Sequence, residues 1–275
     1  GMELDVIIGN HDTYFKNTND VNSMDELYAG KHTEIRTHSN PITLNIDGTE
    51  ILLMPWINSG NYEDCMEAMK SSNAQIMFGH FEIKGFEMYK GSINDHGFEQ
   101  NLFDKFDIVC SGHFHHRSTQ GNITYLGAPY EMTWSDYDDE RGFHIFDTDT
   151  RELVFHRNPL TMFNKVWYDD MNKSVDEVLT TNLDAFKSTF VKIIIKNKTN
   201  PYWFDMFIDK LEQSNPLDIQ VVEDHLNLDL EDDADIVNEA EDTITILKKY
   251  VEQLDLNVDK KKLDLLMRDL YNEAL

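Results

Sequence analysis

The chain has 275 residues, 40% hydrophobic and 11% aromatic, enough to close a core in one large domain or two smaller ones. Its formal net charge of −27 excludes broad, unaided adhesion to a phosphate backbone, which needs a basic face. No apolar run approaches the roughly 18 residues of a membrane helix, and the first residues lack a signal-peptide pattern, so a cytoplasmic protein without membrane attachment is expected.

Short apolar runs recur through the first 156 residues: 6–8, 51–54, 75–78, 107–110, 123–126, 143–146 and 153–155. They predict strands. Helices are predicted over Tyr62 to Lys70 and Phe98 to Lys105, and the mixture implies an α/β sandwich. "DTDTRE" at 147–152 marks a hairpin turn between two of the strands. Cys65 and Cys110 stand far apart in sequence, which suits buried thiols in a reducing compartment better than a disulfide.

After Asn158-Pro159 the pattern changes. A strand "VKIIIK" (191–196), a helix "PYWFDMFIDKLEQS" opening on Pro201, and a strand "LDIQVVE" (217–223) predict a small α+β module spanning 158–228. Eleven acidic residues and no Lys or Arg fall between Asp218 and Asp242, a self-repelling composition that predicts a solvated linker over 229–242. Beyond it Ile244, Leu247, Val251 and Leu254 form one helical stripe, and Leu263, Leu266, Met267, Leu270 and Tyr271 another. Two amphipathic helices joined by "LNVDKK" are therefore expected in a tail of residues 243–275.

Three apolar runs end in Gly followed by a metal-capable side chain: Gly9-Asn10-His11, Gly79-His80 and Gly112-His113-Phe114-His115. Ligands gather beyond the carboxyl ends of strands in α/β sheets, and Gly there lets the backbone turn sharply. Parallel endings would bring Asn10, His11, His80, His113 and His115 together. Imidazoles with an amide oxygen suit Mn²⁺, Fe²⁺ or Zn²⁺, and the absence of sulfur donors argues against a structural zinc site. His32, His38, His96, His116, His144, His156 and His225 are expected to be surface or packing residues, with His116 nearest the cluster. Tyr130, Trp134 and Arg141 are read as core or as contacts to nucleic acid, and Lys192, Lys196 and Lys198 as a basic strip or a Lys-protected strand edge.

"GNHD" (9–12), "GH" (79–80) and "GHFH" (112–115), in this order, resemble the later motifs of the calcineurin-like metallophosphoesterases. "YLGAPYEMTW" (125–134) and "RGFHIFD" (141–147) are similar to SbcD-type DNA repair and recombination nuclease subunits, particularly those of tailed phages. The resemblance implies a metallophosphoesterase sandwich over 1–157, a capping domain over 158–228, and two divalent ions, Mn²⁺ above all, about 3.5–4 Å apart on a phosphodiester. It implies further that Asn10, His80 and His113 ligate one ion and His115 the other, that His11 serves catalysis at the transition state or leaving oxygen, and that Asp12 orients His11. DNA would be the substrate, and an SMC-like ATPase would be gripped by residues 243–275.

The family also carries Asp-x-His and Gly-Asp-x-x-Asp motifs upstream of its "GNHD", and these 275 residues contain neither in that position. Gly1 before Met2 resembles a tag-removal scar. The expectation is a sandwich incomplete at its N-terminus, a metal pair incomplete or absent, little activity in the chain as it stands, and an exposed sheet edge that invites a homodimer or another chain. Two other readings are a metallophosphatase or phosphodiesterase of small substrates, and a non-catalytic scaffold that binds DNA ends or an ATPase.

Overall fold

A computed structural model describes residues 2–180 and 182–223, with the pair 262–263. The expected linker (229–242) and tail helices (243–275, apart from that pair), and His225, lie outside the described residues. The described residues divide into two compact units, one running to Tyr130 and including Asp138–Leu160, the other made of Glu131–Tyr137 with the described residues from Thr161 on.

In chain order the first unit runs β1 (Leu4–Ile7), α1 (Ser23–Tyr28), β2 (Ile35–His38), β3 (Ile42–Ile46), β4 (Thr49–Met54), α2 (Tyr62–Ser71), β5 (Ile76–His80), β6 (Glu87–Tyr89), β7 (Ser92–Ile93), β8 (Ile108–Gly112), β9 (Ser118–Gln120), β10 (Ile123–Tyr125), β11 (Gly142–Phe146) and β12 (Leu153–Arg157). Six strands form one sheet in the order β3-β4-β5-β8-β10-β9, parallel from β4 to β10 and antiparallel at both edges. The central strands read as unbroken apolar runs because both faces of the sheet are covered. Leu52, Met54, Met77 and Val109 pack toward Cys65 and Met69, one turn apart on α2, and toward a group of phenylalanines that includes Phe81 and Phe103. On the opposite face Ile51, Leu53 and Ile76 are covered by Ile7 of β1 and Phe146 of β11. That second layer consists of two separate pieces, the parallel pair β1–β2 and the hairpin β11–β12.

The hairpin around "DTDTRE" forms as predicted, with the Asp147 side chain accepting from the amides of Asp149 and Thr150 in its turn. The helix expected over 98–105 is only a 3₁₀ turn, Gln100–Phe103, since a single buried Phe103 anchors it. Strands β2 and β3 escape the apolar-run reading because polar residues interrupt them, exposed at Arg36, Thr43 and Asn45 and buried at His38. Both cysteines are free and buried, and burial pushes each thiol up to about 12.

The second unit contains β13 (Phe163–Asp169), α3 (Val175–Leu179), β14 (Phe190–Asn197), α4 (Pro201–Gln213) and β15 (Asp218–Glu223). All three strands are parallel, in the order β13-β14-β15, so the module is a β-α-β-α-β unit rather than the expected α+β arrangement. Parallel neighbours require crossovers, and α3 and α4 supply them. Val191, Ile193 and Ile195 of the central strand pack against Phe207 and Leu211 of α4, which starts at Pro201 behind an Asn200 cap. Lys192 belongs to neither an exposed strip nor a strand edge. It sits 3% exposed on the central strand, its ammonium 4.2 Å from the centre of the Trp134 ring. Trp134 is itself buried against Phe163, and the buried carboxylate of Glu131 accepts from the amides of Met162 and Phe163.

The Tyr125 hydroxyl, fully buried in the first unit, accepts from the Ile83 amide at 3.0 Å and donates to the Phe81 carbonyl at 2.9 Å. Tyr125→Phe strips both backbone groups of their partner inside the core, and a loss of about 1–3 kcal/mol is expected. Urea titration of the two proteins measures it; equal midpoints and slopes would show that the pair of bonds contributes nothing net.

Candidate active site

β5 and β8 are adjacent and parallel, and their register aligns Gly79 with Ser111 and His80 with Gly112. Their ends therefore bring His80 and His113 side by side, with ring centres 5.1 Å apart. The third ending comes from the other layer, through β1. Asn10 places its Oδ1 2.8 Å from Nε2 of His80 and 3.3 Å from Nδ1 of His113, so two ring nitrogens and one amide oxygen meet at a single point, with each ring's tautomer deciding which of its nitrogens carries the proton.

The glycines make room rather than turns. None of Gly9, Gly79 and Gly112 has a positive φ. A Cβ on Gly9 would stand 3.0 Å from the His80 ring and one on Gly112 3.1 Å from its Nδ1, so the imidazole occupies a slot between two strand ends that only glycine leaves open. The unusual backbone belongs instead to His113, at φ 88°, a strained region for a residue bearing a side chain.

Electrostatics follow from this enclosure. Burial first, and then the neighbouring His113 and His11, push His80 down to about 3. Burial, with His11 and His115 behind it, takes His113 down to about 4. Both rings are neutral at neutral pH and able to serve as lone-pair donors. His11 and His115 lie close enough to act on them electrostatically, His11 exposed and His115 half-buried. Asp12 is directed elsewhere than the resemblance implies: its Oδ2 accepts from the Gly9 amide at 2.8 Å, closing the turn after β1, and no hydrogen bond joins it to His11 among the described residues.

The donor set fits one divalent ion of the Mn²⁺, Fe²⁺ or Zn²⁺ class in part, with Asn10, His80 and His113 converging as neutral ligands. For a second ion it offers His115 alone. Among the described residues no cluster of three or more His, Cys, Asp or Glu side chains could hold a metal ion.

Two supports were not legible in the motifs. The Trp56 ring stands 5.2 Å from that of His113 and 6.0 Å from that of His80, walling the pair. Its backbone is fixed by the Ile8 carbonyl and by the side-chain amides of buried Asn19 and Asn61. Its place directly after β4 in "LLMPW" is the signal that could have suggested it. Arg141, 3% exposed, pairs with Asp139 at 3.1 Å and donates to the His115 carbonyl, which also accepts from the Ala128 amide. Asp139 in turn holds Nδ1 of His116 at 2.8 Å. Arg141 is thus a clamp on the His-bearing loop, and Tyr130, about half exposed, is the member of its predicted group that faces solvent. His38 is buried against Asp5, whereas His32, His96 and His156 are exposed and His144 half-buried.

No family model matches the sequence. The chain is 33% identical over 276 aligned residues to exonuclease subunit 1 of Enterobacteria phage T4, an alignment that takes in all of this chain and 78% of that protein.

The depressed imidazoles set the acid limb of stability. An unfolded imidazole takes up its proton near 6.5, while His113 and His80 in the fold wait until about 4 and 3. In that window the unfolded chain binds more protons, so stability falls as pH drops from 6.5 toward 4, and these groups have no effect above it. His80→Gln is expected to flatten the dependence of the urea midpoint on pH between 6.5 and 4. An unchanged slope would mean that His80 is not enclosed as described.

Proposed function

The chain belongs to the SbcD-type nuclease subunits of tailed phages, within the calcineurin-like metallophosphoesterase superfamily, and from that premise we propose that it acts in metal-dependent hydrolysis of DNA phosphodiesters. The observation that carries this reading is the meeting of Asn10, His80 and His113 at one point from three separate strand ends. Motif order alone would have left them apart.

Asn10, His80 and His113 would hold one divalent ion, Mn²⁺ by preference, with His115 contributing to a second. Bound there, a metal supplies Lewis-acid polarisation of a phosphodiester oxygen and a water acidic enough to attack. The protein's own part is to keep two imidazoles neutral by burial, to seat His80 between Gly9 and Gly112, and to set the Trp56 ring beside both. His11, at the exposed rim, carries the proton for the departing oxygen. Asp12 acts indirectly, by fixing the Gly9 turn from which Asn10 and His11 project. With three neutral ligands for one ion and one for the other, the pair is incomplete in these residues, and cleavage by the chain alone is expected to be weak.

The T4 relative is, by its name, one subunit of an assembly. For this chain we take the partner to be an SMC-like ATPase that docks on residues 243–275, whose sequence repeats apolar residues at the spacing a groove or coiled coil would take up. Among the described residues no helix is long and apolar enough to cross a membrane.

Titration with Mn²⁺ followed by electron paramagnetic resonance is expected to show metal bound by the chain and lost in His113→Ala. Cleavage of an end-labelled oligonucleotide, however slow, is expected to need both Mn²⁺ and His113; equal cleavage by the variant, or no bound Mn²⁺, overturns the proposal. Hydrolysis confined to p-nitrophenyl phosphate would favour a small-substrate phosphatase instead. Deleting 243–275 is expected to abolish co-purification with the ATPase, and retained binding would rule the tail out.

A further inference from the structure

The loop that follows His11 has a guarded base and an open tip. Its arms are joined by a bridge between Thr13 and Asn22, by the Tyr14 amide donating to the Val21 carbonyl at 2.9 Å, and by the Ser23 amide donating to the Asp12 carbonyl at 2.9 Å. Asn19, 4% exposed, ties the returning arm to the body of the unit by donating to the carbonyls of Ser39 and Trp56 and accepting from Asn58. Asn17 lies so close to Gly60 that a Cβ there would meet the Asn17 carbonyl oxygen at 2.3 Å. The backbone is therefore seated at several points.

Beside that base the loop presents two large aromatic rings to water. Tyr14 is 79% exposed and Phe15 49%, packed edge to face on each other with centres 4.8 Å apart. A tethered loop that leaves two aromatics uncovered forgoes stabilisation that burying either would bring. Lys16 follows them, exposed, and is the sole Lys or Arg in the first 30 residues of a strongly acidic chain. Exposed aromatic rings and a cation are the elements that hold single-stranded nucleic acid: bases stack on rings, and the cation meets a phosphate. Tyr14 stands only three residues beyond His11, within reach of the nucleotide next to a bond cleaved at the site.

We propose that Tyr14, Phe15 and Lys16 form a stacking platform for an unpaired nucleotide at the end of a DNA strand. This inference rests on the nuclease reading above and adds to it a surface that selects frayed or single-stranded ends over closed duplex. The rings offer no hydrogen-bond code, so the preference is for strand state and not for base sequence.

The test uses the full chain and an oligonucleotide with 2-aminopurine at an unpaired terminus, whose fluorescence drops on stacking. Wild-type protein is expected to quench it, and the double variant Tyr14→Ala/Phe15→Ala to bind it about tenfold more weakly and without quenching. Binding of a hairpin-capped duplex with no free end should change little, and Tyr14→Phe should preserve the quench. A matching thermal melt keeps a folding defect from imitating the result. Undiminished affinity and quenching in the double variant overturn the platform while leaving the nuclease reading in place. Wild-type protein that binds no DNA overturns both. A variant that alters sedimentation but not DNA binding assigns the rings to a contact between copies, which also overturns the platform.

Discussion

The imidazole of His80 lies in a slot that exists because the ends of β1 and β8 carry glycine where any other residue would intrude. Much of the site depends on this enclosure. The ring joins the six-stranded sheet to the chain leaving the second layer, since Asn10 reaches it from β1. The same burial that holds it in place denies it a charge, which makes it a donor of electrons and not a surface cation. Geometry and chemistry thus share one cause, the partial burial of two neighbouring imidazoles against each other.

What surrounds the pair is built to keep it in position. The buried asparagines 19, 58 and 61 form a chain of side-chain amides that seats Trp56 on one side. On the other, Arg141 spans from Asp139 to the carbonyl of His115, and Gly127 is tight enough against that carbonyl that a Cβ would stand 3.0 Å away. A buried guanidinium is tolerated where it is paired and donates to a carbonyl, and the loop it clamps gains a defined path. Polar groups from three stretches of chain far apart in sequence thus fix the backbone at Trp56 and His115.

The parallel strands and the three histidine-bearing endings could be read in the sequence, because buried parallel strands are unbroken apolar runs and a glycine before a polar residue punctuates them. What could not be read was anything requiring a partner from a distant segment. Glycine's role at residues 9 and 112 is set by where the His80 ring falls, and local conformation did not reveal it. Lys192 looked like surface charge within "VKIIIK", yet an aromatic ring from a segment 58 residues earlier covers it. Likewise β13 was missed because its mixed pattern, "FNKVWYD", makes sense only once β14 is beside it.

The course of residues 131–137 carries a consequence for how this protein could have been assembled. The chain leaves the first unit after Tyr130, contributes Glu131 and Trp134 to the interior of the second, returns at Asp138, and leaves again after Leu160. The units are connected three times, and neither is a continuous stretch of sequence. A single crossover in recombination cannot exchange one for a foreign counterpart, because each exchanged half would carry or lack the seven-residue excursion that its new neighbour was shaped around. Exchange of one unit alone would need a crossover at each of the three places where the chain passes between them.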